Sequence, residues 1–410
     1  MVFNCDVKIV DMIMGAGKTS SAINYINNSY DGCRFLFITP YKTEVARIKE
    51  SCAKKNFKEP KEMGTKLKGL KYLINNGENI VSTHALFHRF DSEVIDMCRA
   101  RNYTLIMDEV TDVIEKYDIS KEDFKILTQN FVDIDEATGL LKWKKPNDDY
   151  YGKFSEEKRL CELNCLALYG DSVMMWLFPI EAFNAFRNIY ILTYKFKSQI
   201  QRYYYDYYKL PYKYIFVAGS NIDDYRFTDN EDEKQIIHYD LRNSIHILDD
   251  EKMNQIGDRE FDLSKSWYIR NRGNAAMKKL KNNIENFFRN KRKTKTKDNL
   301  WTTFADFKSE LTSKGYGRAF VSVNMRASNE YRDRTSIVYP VNRYLNTGVK
   351  NFFLQHNVDV DEDGFALSEM VQFIWRSAIR DGKEIWIYIP SIRMRNLLIS
   401  WINELADECN

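Results

Sequence analysis

No apolar run in this 410-residue chain approaches the roughly 18 residues a helix needs to cross a bilayer. The first strand-like segment begins at Val7, which leaves no room for a signal peptide. Internal repeats and long low-complexity segments are also missing. The net charge is only +3, so bulk charge gives no argument for a nucleic-acid partner. Any such argument must rest on where the charge lies. The cysteines (Cys5, Cys33, Cys52, Cys98, Cys161, Cys165 and Cys409) are scattered and odd in number, which fits a reducing cytoplasm rather than a disulfide framework. Cys161 and Cys165 suit one helix face, but no second Cys or His pair lies near them, so no zinc site is expected.

What is present is ordinary in bulk: 44% hydrophobic and 29% charged residues, the profile of a soluble globular protein. The length suggests two or three domains. Aromatic residues make up 14%, and five of them, Tyr203, Tyr204, Tyr205, Tyr207 and Tyr208, form a group suited to a core, a stacking platform or both.

The most specific signal is Gly15-Ala16-Gly17-Lys18-Thr19-Ser20, between an apolar strand-like run (7–14) and helical spacing at Ala22, Ile23 and Ile26. Glycines there let backbone N–H groups turn onto phosphate oxygens. Lys18 suits the β- and γ-phosphates of ATP, Thr19 suits Mg²⁺, and a helix N-terminus adds a favourable dipole. Met12 occupies the first glycine position of the longer phosphate-loop pattern. The Gly-x-Gly-Lys-Thr form is that of helicase-type ATPases.

The first half alternates strand-like and helix-like stretches. Residues 34–39 (RFLFIT), 79–82 (NIVS), 103–107 (YTLIM) and 188–193 (NIYILT) read as further strands. Short apolar strands separated by helices predict an α/β fold with a mainly parallel sheet. In such sheets ligands bind at the carboxyl ends of strands. Gly15, Thr39, Thr83, Asp108 and Thr193 all fall at those ends, which predicts one shared site. An insertion is expected over about 116–185, with hairpins at 131–144 and 168–178. The acidic, poorly periodic stretch 221–235 reads as a boundary, dividing the chain into domains 1–225 and 226–410. In the second, 236–248, 318–323, 335–339 and 384–389 read as strands, and 275–289, 304–313 and 367–380 as helices.

Asp108-Glu109 ends an apolar strand. The first carboxylate suits the Mg²⁺ held by Thr19, and the second suits orienting or deprotonating the attacking water. Thr39-Pro40-Tyr41-Lys42 and Ser82-Thr83-His84 suit contacts with a nucleic-acid backbone, or ordinary turn chemistry. His84 and His88, four apart with no carboxylate between them in a ligand pattern, suit packing or surface roles rather than metal. Gln372, Arg376 and Arg380 are four apart, which predicts one helix face able to meet a polyanion or a γ-phosphate. The run RNKRKTKTK (289–297), with Lys278, Lys279 and Lys281, is the main basic patch, suited to phosphate neutralisation or plain solvation. Arg326, Asn329, Arg332, Arg334 and Arg343 form a looser polar group with phosphate-contacting or structural roles.

In this order the pieces resemble a superfamily 2 helicase of the DEAD/DEAH-like, DExx type, a small replication helicase from a phage or mobile element. Residues 15–19 look like motif I, 37–42 like motif Ia, and 81–84 like the Thr-containing motif. Residues 108–111 look like motif II, 192–194 lie where motif III belongs, and 372–380 look like motif VI. The resemblance implies two RecA-like domains with ATP and Mg²⁺ between them. A single-stranded or forked nucleic acid, DNA favoured, would lie across their tops, with Thr193 among its contacts, and replication proteins would be partners. It implies Lys18, Thr19, Asp108 and Glu109 as the ATPase centre, Arg376 or Arg380 as the arginine finger, and a bacterial host cytoplasm. The sequence departs from the pattern: Trp375 precedes Arg376 where glycine is usual, and motif III lacks Ser-Ala-Thr. Other readings stay open: a phage nucleotide kinase, a terminase-like packaging motor, or a degenerate ATPase serving as a nucleic-acid scaffold or loader.

Overall fold

The computed structural model describes residues 2–170, 173–323 and 330–408, so Arg326 and Asn329 lie outside the described residues. The fold comprises two compact units. The first is Met1–Ile13, Gly17–Gln235 and Asn346–Val360; the second is Met14–Ala16, Ile236–Leu345 and Asp361–Asn410. The division after Gln235 falls at the end of the acidic stretch 221–235, and residues 346–360 return to the first unit.

The first unit is built on a seven-stranded sheet. Its strands are β1 (Asp6–Asp11), β2 (Phe35–Thr39), β3 (Ile80–Thr83), β4 (Thr104–Asp108), β5 (Asn188–Thr193), β6 (Tyr212–Ala218) and β7 (Arg226–Thr228), in the order β7-β6-β1-β5-β4-β2-β3. All neighbours pair in parallel except β6 with β7. Every residue of β2 is buried, as is all of β5 beyond Asn188. Successive side chains point to opposite faces, so both faces of the sheet are covered there. The register aligns Asp11 with Thr193 and Leu192 with Asp108, which brings three strand ends level along one edge.

Between β4 and β5 lies the insertion. Ile114–Lys116, Val173–Leu177 and Leu166–Tyr169 make a three-stranded antiparallel sheet, and Val132–Ile134 pairs antiparallel with Leu141–Trp143. It has its own core of Leu127, Val132, Leu141, Phe154, Leu160, Leu166 and Met174. The 131–144 hairpin lies as the sequence suggested; the second lies there too, with Asp171 of its turn outside the described residues.

The tyrosine-rich segment is the helix Ile200–Tyr208, in which Tyr203, Tyr204 and Tyr205 are fully buried. Their hydroxyls are satisfied from within: Tyr204 donates to the Phe178 carbonyl at 2.5 Å and Tyr203 to Ser198 at 3.1 Å. They are core and not a stacking platform. The returning helix Thr347–Gln355 packs on the same helix, with Phe353 beside Tyr203 and Phe352 beside Tyr207.

The second unit has a four-stranded, all-parallel sheet of β8 (Ile245–Ile247), β9 (Asn299–Trp301), β10 (Ser336–Val338) and β11 (Ile385–Tyr388), in the order β8-β11-β10-β9. Two strand expectations are corrected. In 236–248 only Ile245–Ile247 pairs; Ile236 is 65% exposed, and Asp240 caps a short helical turn that interrupts the run. Residues 318–323 contain a tight turn, and Phe320 makes a single bridge to Trp301. The 304–313 helix shrinks to Lys308–Leu311 after a tight turn.

Candidate functional site

The glycine turn follows β1 and opens the helix Lys18–Asn27. Gly15 has φ +89° and Gly17 has φ +72°, a left-handed backbone that L side chains rarely adopt. A Cβ on Gly17 would also lie 2.5 Å from the Tyr225 ring. Glycine is therefore required at Gly17 on two counts. Ala16 is fully buried and Ser20 is half-buried, at the third helical position. The Lys18 ammonium donates to the carbonyls of Met12 (2.5 Å) and Ile13 (3.1 Å), so its charge is held against the loop.

Two strands away, across β5, stands β4 with Asp108 at its end. The Thr19 hydroxyl lies 3.4 Å from Asp108 Oδ1. Burial first, then the negative charge of Glu109, pushes the Asp108 carboxyl up to about 7. Glu109 has φ +66°, the left-handed region that costs a side-chain-bearing residue about 1–2 kcal/mol. It is held there because its N–H donates to Leu192 (2.9 Å) and its Oε2 accepts from Thr193 Oγ1 (3.3 Å). A strained residue so restrained marks a candidate functional position. Asp11 ends β1, and its Oδ2 accepts from the Phe196 N–H at 2.8 Å. Burial raises its pKa, while backbone N–H groups and the Lys18 charge oppose the rise.

The Asp108–Thr111 turn is pinned from behind. His84 Nε2 meets the Asp108 carbonyl at 2.9 Å, and His88 Nε2 meets Thr111 Oγ1 at 2.6 Å. Gln201, fully buried, accepts the Thr111 N–H at 2.8 Å and donates to Tyr205 at 2.7 Å. Sequence reasoning missed Gln201 and Asp11. A carboxylate closing a buried strand was the available signal for Asp11, whereas Gln201 lies 90 residues from its partner and gave none.

The residues expected to touch nucleic acid divide sharply. Lys42 is exposed, and Pro40 and Thr83 are half-exposed. Thr39, His84 and Thr193 are buried, which corrects their expected role as polymer contacts. His84 and Thr193 instead hold Asp108 and Glu109, and the Thr39 hydroxyl has no partner among the described residues. In the second unit, the expected shared face of Gln372, Arg376 and Arg380 does not form. The helix Glu362–Ile374 ends before Arg376. Ser377 Oγ donates to the Ile374 carbonyl (2.6 Å) and the Ala378 N–H to the Arg334 carbonyl (2.9 Å), so a tertiary bond replaces the next helical turn. Gln372 stays on the helix and is half-buried. Arg376 is buried, with Nη1 3.4 Å from the Ser322 carbonyl, and Arg380 is exposed on a tight turn.

One expected outcome follows from Asp108. The native state keeps its proton up to about pH 7, whereas the unfolded chain loses it near 3.8. The native state thus binds more protons between these values, and this group's contribution to stability falls as pH rises from about 4 through about 7. At about 1.4 kcal/mol per unit, the burden at pH 8 is at most about 4 kcal/mol. Asp108→Asn should therefore melt higher than the parent protein at pH 8, and the gap should narrow towards pH 4. Thermal unfolding across that range is the check; a gap independent of pH would place the burden elsewhere.

Residues 239–402 match the family model described as the YonV C-terminal Rossmann-like domain, and residues 114–176 match that of the YonV middle domain. The chain is also 42% identical over 409 residues to the SPbeta prophage-derived uncharacterized protein YonV of Bacillus subtilis (strain 168), covering 97% of this chain and 98% of that protein. The middle-domain match falls on the insertion, and the Rossmann-like match spans the parallel sheet of the second unit. Among the described residues, no helix is long and apolar enough to cross a membrane.

Proposed function

The chain belongs to the prophage-derived YonV family, and we propose that it is a nucleic-acid-dependent ATPase, a RecA-like translocase or helicase acting on DNA in phage or mobile-element replication or recombination. The observation that carries this reading is the Thr19 hydroxyl beside Asp108 across a single intervening strand, directly after a glycine turn of left-handed backbone. Such a turn presents N–H groups to phosphates, and a hydroxyl beside a carboxylate suits a divalent cation. These residues fit ATP with Mg²⁺, which when bound supplies the γ-phosphoryl group to be transferred to water.

In this reading Lys18 offsets phosphate charge, and Thr19 and Asp108 hold the cation. Glu109 accepts a proton from the attacking water, and Thr193 fixes the carboxylate that does so. His84, His88 and Gln201 position the turn that carries both acids. Asp11 is a further acid beside Lys18.

The buried Arg376, bonded within its own unit, favours a second reading: a nucleotide-gated nucleic-acid scaffold that hydrolyses ATP slowly. ATP hydrolysis measured alone and with single-stranded DNA, single-stranded RNA or duplex decides between them. Strong stimulation by one polymer is expected and names the track. A rate indifferent to every polymer would discard the motor.

A further inference from the structure

The basic run at 291–297 takes no part in that site. Residues 278–297 carry nine cations and one acid, Glu285. The run is not loose. Alternate residues are tied to the second unit: the Arg292 guanidinium lies 3.7 Å from the centre of the Trp386 ring, Thr294 Oγ1 donates to Asn299 at 2.6 Å, and Thr296 Oγ1 donates to the Gly315 carbonyl at 2.7 Å. Alternating with these anchors, Lys293, Lys295 and Lys297 are exposed, and none makes an ion pair among the described residues. Lys293 itself adopts φ +54°. Lys314, beside Gly315, is exposed on the same side.

The nearby acids are engaged. Asp298 accepts the Lys295 N–H, Asp381 is held by Arg332, Asp250 pairs with Lys291, and Glu384 meets His246. The run leads into β9, and the Thr335 N–H donates to the Asp298 carbonyl at the start of β10. It therefore lies at the amino ends of the parallel strands, opposite the carboxyl edge where such sheets take small ligands.

We propose that Lys293, Lys295 and Lys297 form a preorganised comb that grips the phosphate backbone of a single-stranded nucleic acid without reading its sequence. The inference deepens the proposed function by placing the grip, and it rests on that reading for the nature of the polyanion. Charge with no apolar anchor fits phosphates better than a protein interface, whose binding energy concentrates in buried aromatic residues. No large apolar residue is exposed between Ile269 and Leu354 among the described residues, so nothing there supports insertion into a lipid surface.

The test is fluorescence anisotropy of labelled oligodeoxythymidylate with the full chain, without nucleotide, over a salt series. The combined Lys293→Ala, Lys295→Ala, Lys297→Ala variant should bind about 10- to 100-fold more weakly at 0.1 M salt, and its log–log salt slope should fall by about 2. The matching triple arginine variant should keep the parent affinity. Binding is read without nucleotide, so a failed ATPase reading leaves this result standing. Parent affinity and slope in the alanine variant, with an unchanged melting temperature, would overturn the comb. So would comb-dependent binding to phosphatidylserine vesicles with none to the oligonucleotide.

Discussion

Lys18→Ala is expected to lower ATP hydrolysis by at least about 100-fold, the scale of losing one preorganised charge at a developing phosphate oxyanion. The position is specific. Lys18 opens the helix that follows a glycine turn, and its ammonium already lies within 3.1 Å of two loop carbonyls. Bonds from a charged donor contribute about 1.5–3 kcal/mol each, so the variant should fold but melt several degrees lower. Lys18→Arg should not rescue it, because a planar fork on a longer stem does not replace a compact ammonium in a tight loop. Nucleotide affinity should fall together with turnover, because in the proposed role Lys18 meets the phosphates before as well as during reaction. Hydrolysis at the parent rate in Lys18→Ala would remove the loop from the chemistry.

The glycine turn and the acidic strand end were legible because their pattern is local in sequence. A buried strand, a glycine turn and a helix lie within one short segment, and an apolar strand ends in Asp108-Glu109. The strands β2 to β5 were legible because nearly all their residues are buried, which makes them short continuous apolar runs. β6 was not, because its first three positions are polar or aromatic and half-buried or exposed. β9 was hidden by its length: three residues straight after a lysine-rich run look like the end of a loop.

The failures at the site share a cause, which is that partners distant in sequence decide what a side chain touches. Thr193 and His84 read as exposed strand-end polar groups, yet the parallel register turns Thr193, and the helical turn after β3 turns His84, onto the acidic turn. Helical spacing put Arg376 on a face with Gln372, but a bond from Ala378 to Arg334 ended the helix first. The return of residues 346–360 to the first unit depends on aromatic packing against Tyr203 and Tyr207, which spacing does not reveal.

Glu109→Gln should separate binding from turnover. The amide has the carboxylate's shape, keeps an acceptor for Thr193 Oγ1, and leaves the N–H bond to Leu192 in place. What it loses is proton acceptance, typically worth about 10²- to 10⁴-fold in rate. Hydrolysis should fall by that amount while nucleotide affinity stays within a few-fold of the parent, unlike Lys18→Ala, which loses both. The backbone supplies an independent check. Glu109→Gly removes the side chain at φ +66° and with it about 1 kcal/mol of strain, so it should lose turnover equally but melt no lower, and even higher, than Glu109→Gln. A strained position kept for its carboxylate predicts that opposition of stability and activity. If Glu109→Gln turned over ATP like the parent, the strain would serve only the turn, and water activation would have to pass to another acid of the edge, Asp11 being the one beside Lys18.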